Sequence, residues 1–199
     1  MEEQTKQTIL DIAKLIWDRR LSDVAGGNIS MRNGDHVCIT PTGMGYRMRW
    51  QITASDLSVV NLEGNVLEGP EKITREALMH LGLYKEFPEA TAVIHAHPYW
   101  TNVFVSKSQP IIPSLQTTEK FGTIECIQEA HGYSRELADK VVEHCRKKRE
   151  QWEKTPLEVI LPRHGVVAVG RDMDATFDIL DRIESDCRCQ ILGKLITVQ

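Results

Sequence analysis

His95-Ala96-His97 is the stretch of this sequence best suited to chemistry. It closes an apolar run, Ala92-Val93-Ile94, with the length and composition of a buried strand. Side chains alternate faces along a strand, so His95 and His97 project to one side with Cα atoms about 7 Å apart. Two imidazoles can converge on one metal ion from there; the same spacing also serves a surface pair or a histidine packed against the core. Two more residues add to the metal reading. Glu76, on the helix expected before this strand, offers a carboxylate, and His164 stands at a turn between two apolar strands. Three histidines with an open position are the pattern of a catalytic rather than a structural zinc site. Cys187 and Cys189 offer no rival, because residues two apart on a helix point to nearly opposite faces.

Hydrophobic period and turn chemistry place the elements that must hold these groups. Ile9, Ile12, Ala13, Ile16 and Trp17 recur at helical spacing, with Lys14, Asp18 and Arg19 on the polar side. Strands at residues 29–31 and 36–40 form a hairpin through Asn33-Gly34, and residues 57–68 form another through Glu63-Gly64-Asn65. Thr74 is expected to cap a helix running to about Glu86, with Pro88 after it. Beyond the histidine strand come a helix at 100–106, an irregular stretch to about 125 and a helix at 134–148. Strands at 159–161 and 166–169 flank Arg163-His164-Gly165, and a last helix spans 172–194. The charge-dense residues 146–154 read as a solvated helix end. With no repeat and no low-complexity linker, residues 1–199 are expected to form one domain. Hairpins interleaved with helices imply an α/β fold, a largely antiparallel sheet covered by helices.

Composition narrows the function classes. The 199 residues are 41% hydrophobic, ample for one buried core. Charge is nearly balanced, 24 basic against 28 acidic residues, so no basic field holds nucleic acid or an anionic membrane. MEEQTKQTIL is no signal peptide, and no run approaches the roughly 20 apolar residues of a membrane span. Five cysteines without scaffold spacing read as reduced thiols, and the expected location is cytoplasmic. An amidohydrolase barrel needs about 250 residues. A cupin carries a glutamate a few residues after its HxH, whereas the next acid after His97 is Glu119.

The ordered set Gly27-Asn28-Ile29-Ser30, Thr40-Pro41-Thr42-Gly43, Glu76 with Met79-His80, His95-Ala96-His97-Pro98 and Arg163-His164-Gly165 resembles the class II aldolase/adducin family over nearly the whole chain. That family includes L-fuculose-phosphate aldolase and L-ribulose-phosphate 4-epimerase. The resemblance implies a three-layer α/β/α sandwich around a mainly antiparallel sheet, assembled as a C4 homotetramer with active sites between subunits. It makes His95, His97 and His164 ligands of zinc, with manganese or cobalt as alternatives, and Glu76 the acid/base carboxylate. It places a substrate phosphate at Asn28, Thr42, Gly43 and Thr74, where small turn residues let backbone N–H groups face an anion.

Arg75 stands where relatives carry a small hydroxyl residue. It offers a charge-assisted contact to phosphate or carboxylate, fills the pocket, or lies on the helix surface. Thr117 and, less closely, Glu119 match residues that reach into a neighbour's active site. His80 reads as a packed, hydrogen-bonded histidine. No counterpart is expected among these residues for the family's further catalytic Tyr or His near the C-terminus. The implied reaction is cleavage of a phosphorylated ketose to dihydroxyacetone phosphate and an aldehyde through a metal-stabilised enediolate. Epimerisation and decarboxylation of a 3-oxo acid phosphate are the alternatives on the same site, and a non-catalytic adducin-like scaffold is the competitor outside enzymology.

Overall fold

A computed structural model describes residues 3–196. Seven strands form one antiparallel sheet in the order β4-β3-β2-β1-β5-β7-β6. These are β1 (Asn28–Asn33), β2 (His36–Ile39), β3 (Ser58–Asn61), β4 (Val66–Glu68), β5 (Ala92–Ala96), β6 (Leu157–Leu161) and β7 (Gly165–Gly170). The three hairpins are those expected, except that the first turns at Gly34-Asp35, because Asn33 still pairs with His36. The long-range step is the insertion of β5 between β1 and β7, which makes the histidine strand the centre of the sheet.

Alternation along the strands divides the core in two. On one face Ile94, Val166 and Ala168 pack against α1 (Glu3–Asp18), α3 (Thr101–Ser106) and α6 (Met173–Gly193). On the other, Val93, Val167 and Val169 pack against α2 (Ala77–Glu86), α4 (Arg135–Lys147) and α5 (Arg149–Trp152). The result is the three-layer sandwich, with α2 buried between the sheet and α4 and accordingly apolar around most of its circumference. Caps follow side-chain chemistry: the Ser134 hydroxyl accepts from Leu137 N–H and the Asp172 carboxylate from Ala175 N–H. Cys187 is buried and Cys189 exposed, as their spacing on α6 requires. The irregular stretch contains a 3₁₀ turn (Glu119–Phe121) and is tied down by the buried Asp186, which accepts from Ser114, Leu115 and Thr118. No helix among the described residues is long and apolar enough to cross a membrane.

One boundary differs from expectation. Thr74 does not cap α2, because the chain is still extended there: Ile73 bridges Pro41, and Thr74 N–H donates to Thr40 O at 3.0 Å. The cap position falls to Glu76, whose own N–H donates to the Thr74 hydroxyl at 3.3 Å. Glu76 therefore sits at the mouth of the helix rather than within it.

Candidate active site

Strand register brings the site together. Asn28 on β1 lies directly across from His95 on β5, and His95 across from Val167 on β7. His95 thus faces the α2 layer with Asn28, and His97, just past the strand end, projects the same way. His164 enters from the β6–β7 turn, where Arg163 takes φ +56° to reverse the chain. Close approach depends on two glycines. A Cβ at Gly165 would stand 2.5 Å from His97 Cδ2 and 2.6 Å from Ala96 O, and one at Gly26 would stand 2.7 Å from His97 Nε2.

The ring orientations follow from their outer partners. His95 Nδ1–H donates to Val166 O at 2.8 Å, and His97 Nδ1–H faces Asp23 Oδ1 at 3.3 Å. Both Nε2 atoms then present lone pairs inward, only 3.2 Å apart. His164 completes the group, and one ligand atom from each of the three histidines lies within 4.8 Å of the others. Glu76 closes the fourth side, its Oε2 3.2 Å from His95 Nε2 and its Oε1 3.4 Å from His164 Nε2.

These groups fit a divalent metal. Nitrogens about 2.05 Å from a common tetrahedral ion stand about 3.3 Å apart, which matches the spacing of His95 and His97. Without a cation, the facing lone pairs repel, and the buried Glu76 Oε1 has no hydrogen-bond partner. Burial holds His95 and His164 in the neutral form a metal requires. His95 is lowered to about 3 by desolvation and then by His97, and His164 to about 4 by desolvation and then by His95. The carboxylate of Asp23 behind His97 is an outer partner of the kind that orients a metal-binding imidazole.

A family model described as Class II Aldolase and Adducin N-terminal domain matches residues 7–191. The chain belongs to that family. An L-fuculose phosphate aldolase of Methanococcus maripaludis is 30% identical over 182 residues, which cover 87% of this chain and 91% of the relative. A 3-oxo-tetronate 4-phosphate decarboxylase of Haemophilus influenzae is 26% identical, with 92% and 85% covered. A solved L-fuculose 1-phosphate aldolase superposes with a TM-score of 0.84 at 23% identity, covering all of this chain and 92% of its own, so the two share a fold.

In this member of the aldolase/adducin family, Asn28, Thr42, Gly43, Thr74 and Arg75 line one cavity with Glu76, His95 and His164. Their donors are not equally free. The N–H groups of Thr42 and Thr74 are spent on Lys72 O and Thr40 O, and the Asn28 carboxamide is engaged by Glu76 and His80. The amides of Gly43, at φ +77°, and Arg75 bond to none of the described residues. Thr117 and Glu119 are exposed and lie outside this cavity. A wider cavity beside Arg20, Tyr99 and Arg188 contains none of the site residues.

Two participants escape sequence reasoning. Asp23 sits in an irregular segment with no pattern to mark it. Tyr133 lines the cavity from the loop before α4, its ring 6.1 Å from that of His164 and 3.7 Å beneath the Arg75 guanidinium. It holds φ +66°, a costly conformation for an aromatic residue. Only that backbone angle marks it, and the angle is invisible in the sequence.

Proposed function

We propose that this chain is a divalent-metal-dependent aldolase that cleaves a ketose 1-phosphate to dihydroxyacetone phosphate and an aldehyde. The observation that carries the reading is the convergence of His95, His97 and His164 on Glu76, a buried carboxylate with one unpartnered oxygen. Zinc suits this donor set, as do manganese and cobalt. When bound, the ion supplies positive charge where the ketose oxygens become negative as the carbon–carbon bond breaks.

The protein's own groups do the rest. Cleavage between C3 and C4 leaves the electron pair on C3, and the C4 hydroxyl gives up its proton to water as the aldehyde forms, balancing the proton that C3 gains. Glu76 delivers a proton to C3, and in the synthetic direction it removes one. The free amides of Gly43 and Arg75, the hydroxyls of Thr42 and Thr74 and the remaining N–H of Asn28 hold the phosphate. Remote binding energy then keeps C3 opposite Glu76. Arg75 is braced on Tyr133 by a cation–π contact and has no acidic partner among the described residues. That unpaired guanidinium also suits a substrate carboxylate. It favours decarboxylation of a 3-oxo acid phosphate as the second reading, in keeping with the name of the Haemophilus relative.

We also infer a cytoplasmic C4 homotetramer in which Thr117 and Glu119, exposed here, reach a neighbour's site. Exposed Val103 and Ile112 support burial of that flank in an assembly. The decisive experiment is a screen of ketose 1-phosphates and sugar-acid phosphates with zinc-, manganese- and cobalt-loaded protein. Dihydroxyacetone phosphate and carbon dioxide are scored separately. Carbon dioxide alone would replace the aldolase by the decarboxylase, and neither product from fully metal-loaded protein would remove both.

A further inference from the structure

Glu76 is gripped from behind by a file of polar side chains running into the core. Asn28 Nδ2 is 2.8 Å from Glu76 Oε2, and Asn28 Oδ1 is 2.6 Å from His80 Nε2. His80 Nδ1 is 2.7 Å from Ser30 Oγ, which is 2.8 Å from the Tyr84 hydroxyl. Tyr84 also donates to Ser30 O at 2.9 Å. All four side chains behind Glu76 are buried. The file exists because two periodicities mesh. Asn28 and Ser30 share a face of β1, while Glu76 at the cap of α2 and His80 and Tyr84 within it recur every fourth residue.

The chemistry of the donors orders the protons from Glu76 to the Ser30 hydroxyl. A carboxylate oxygen only accepts, so the Asn28 amide must turn its NH₂ to Glu76 and its oxygen to His80. That oxygen requires Nε2–H on His80. Burial lowers His80 to about 3, so the ring is neutral and its bare Nδ1 accepts from the Ser30 hydroxyl. With Asn28 reversed, two acceptors would face each other at 2.8 Å in a buried site.

We propose that His80 is a positioning residue: acting through Asn28, it clamps Oε2 of Glu76 and leaves the buried, unpartnered Oε1 as the oxygen that exchanges the proton with substrate. The proposal rests on the acid/base role given to Glu76 above. The clamp touches none of the three histidines, so the metal they would hold is expected to survive its loss. It sets the angle of a carboxylate whose displacement by about 1 Å costs about a hundredfold in rate.

The test compares His80→Leu, His80→Gln and Glu76→Gln in the metal-loaded enzyme. His80→Leu keeps the bulk and deletes both bonds, whereas His80→Gln can still donate to Asn28. His80→Leu is expected to retain metal and KM while kcat falls by about 10- to 100-fold, and His80→Gln to regain most of that loss. A kcat for folded His80→Leu within twofold of the unmodified enzyme, or no rescue by glutamine, overturns the clamp if Glu76→Gln is inactive. Full activity in Glu76→Gln overturns the role of Glu76 itself. Ring-nitrogen NMR of the unmodified protein tests the clamp without turnover and without a folded variant. It is expected to find the Nε2–H tautomer of His80 throughout pH 5–8. The Nδ1–H tautomer would reverse Asn28 and refute the proposal.

Discussion

Replacing Gly26 by alanine is expected to disable the proposed metal site through one methyl group. The new Cβ would stand 2.7 Å from His97 Nε2 and 3.1 Å from Nδ1, whereas ordinary contact begins at 3.4 Å. The nearest ring atom, Cε1 at 2.3 Å, must retreat by about 1.1 Å and Nε2 by about 0.7 Å, more than three times the tolerance of about 0.2 Å in a metal–ligand bond. The ring has nowhere to go, since Nδ1 is tied to Asp23 and its inner edge faces His95. Gly26 is not among the glycines at positive φ, so alanine adds no backbone strain and the fold should persist. We expect zinc affinity to fall at least 100-fold, about 2.8 kcal/mol, with turnover lost in proportion. Gly193→Ala, whose methyl meets nothing within 4 Å, should leave metal binding unchanged. Calorimetric titration of metal-stripped protein measures the affinity directly, and circular dichroism reports the fold. Unaltered zinc affinity in folded Gly26→Ala would refute the assignment of His97 as a ligand.

Three further outcomes rest on the side-chain environments described above. Glu76→Gln should keep bound metal and lose about 10²- to 10⁴-fold in kcat, by steady-state assay with metal analysis. Arg75→Ala should raise KM for the phosphorylated substrate about tenfold; Tyr133→Leu should reproduce part of that rise and Tyr133→Phe none, because the ring alone supports the guanidinium. Glu158, buried with both oxygens unpartnered beside Glu184, is raised well above its ordinary 4.5, first by desolvation and then by that neighbour. The folded protein thus binds a proton that the unfolded chain releases above 4.5, so stability falls as pH rises from there toward the folded value. Melting temperatures from pH 5 to 8 should decline more steeply for the unmodified protein than for Glu158→Gln.

Local chemistry accounts for most of what is legible in the amino-acid order. Gly34 and Gly64 specify hairpins through positive φ angles that few other residues adopt, and the apolar period of α1 and α6 specifies amphipathic helices. The alternation of one strand already puts His95 and His97 on one face. Thr74 fails as a cap because a neighbouring strand, not its own propensity, decides how far the chain stays extended. Glu158 lies in an otherwise apolar strand, and nothing local says that its face is covered by α6.

The sequence by itself determined the kinds of groups available: three histidines, one carboxylate among them, small turn residues for an anion, and the order in which a family arranges them. Tertiary structure decided which atoms meet. Register of β1 against β5 put Asn28 beside His95 and behind Glu76, and packing of α2 on β1 turned His80 into a clamp. Asp23 and Tyr133 joined the site through loops whose paths are set by what they pack against. Bonds between residues close in the chain depend on local dihedrals and can be read in order. Contacts across 48 or 75 residues, such as Asn28 with Glu76 and Ser22 with His97, depend on how the whole sheet closes.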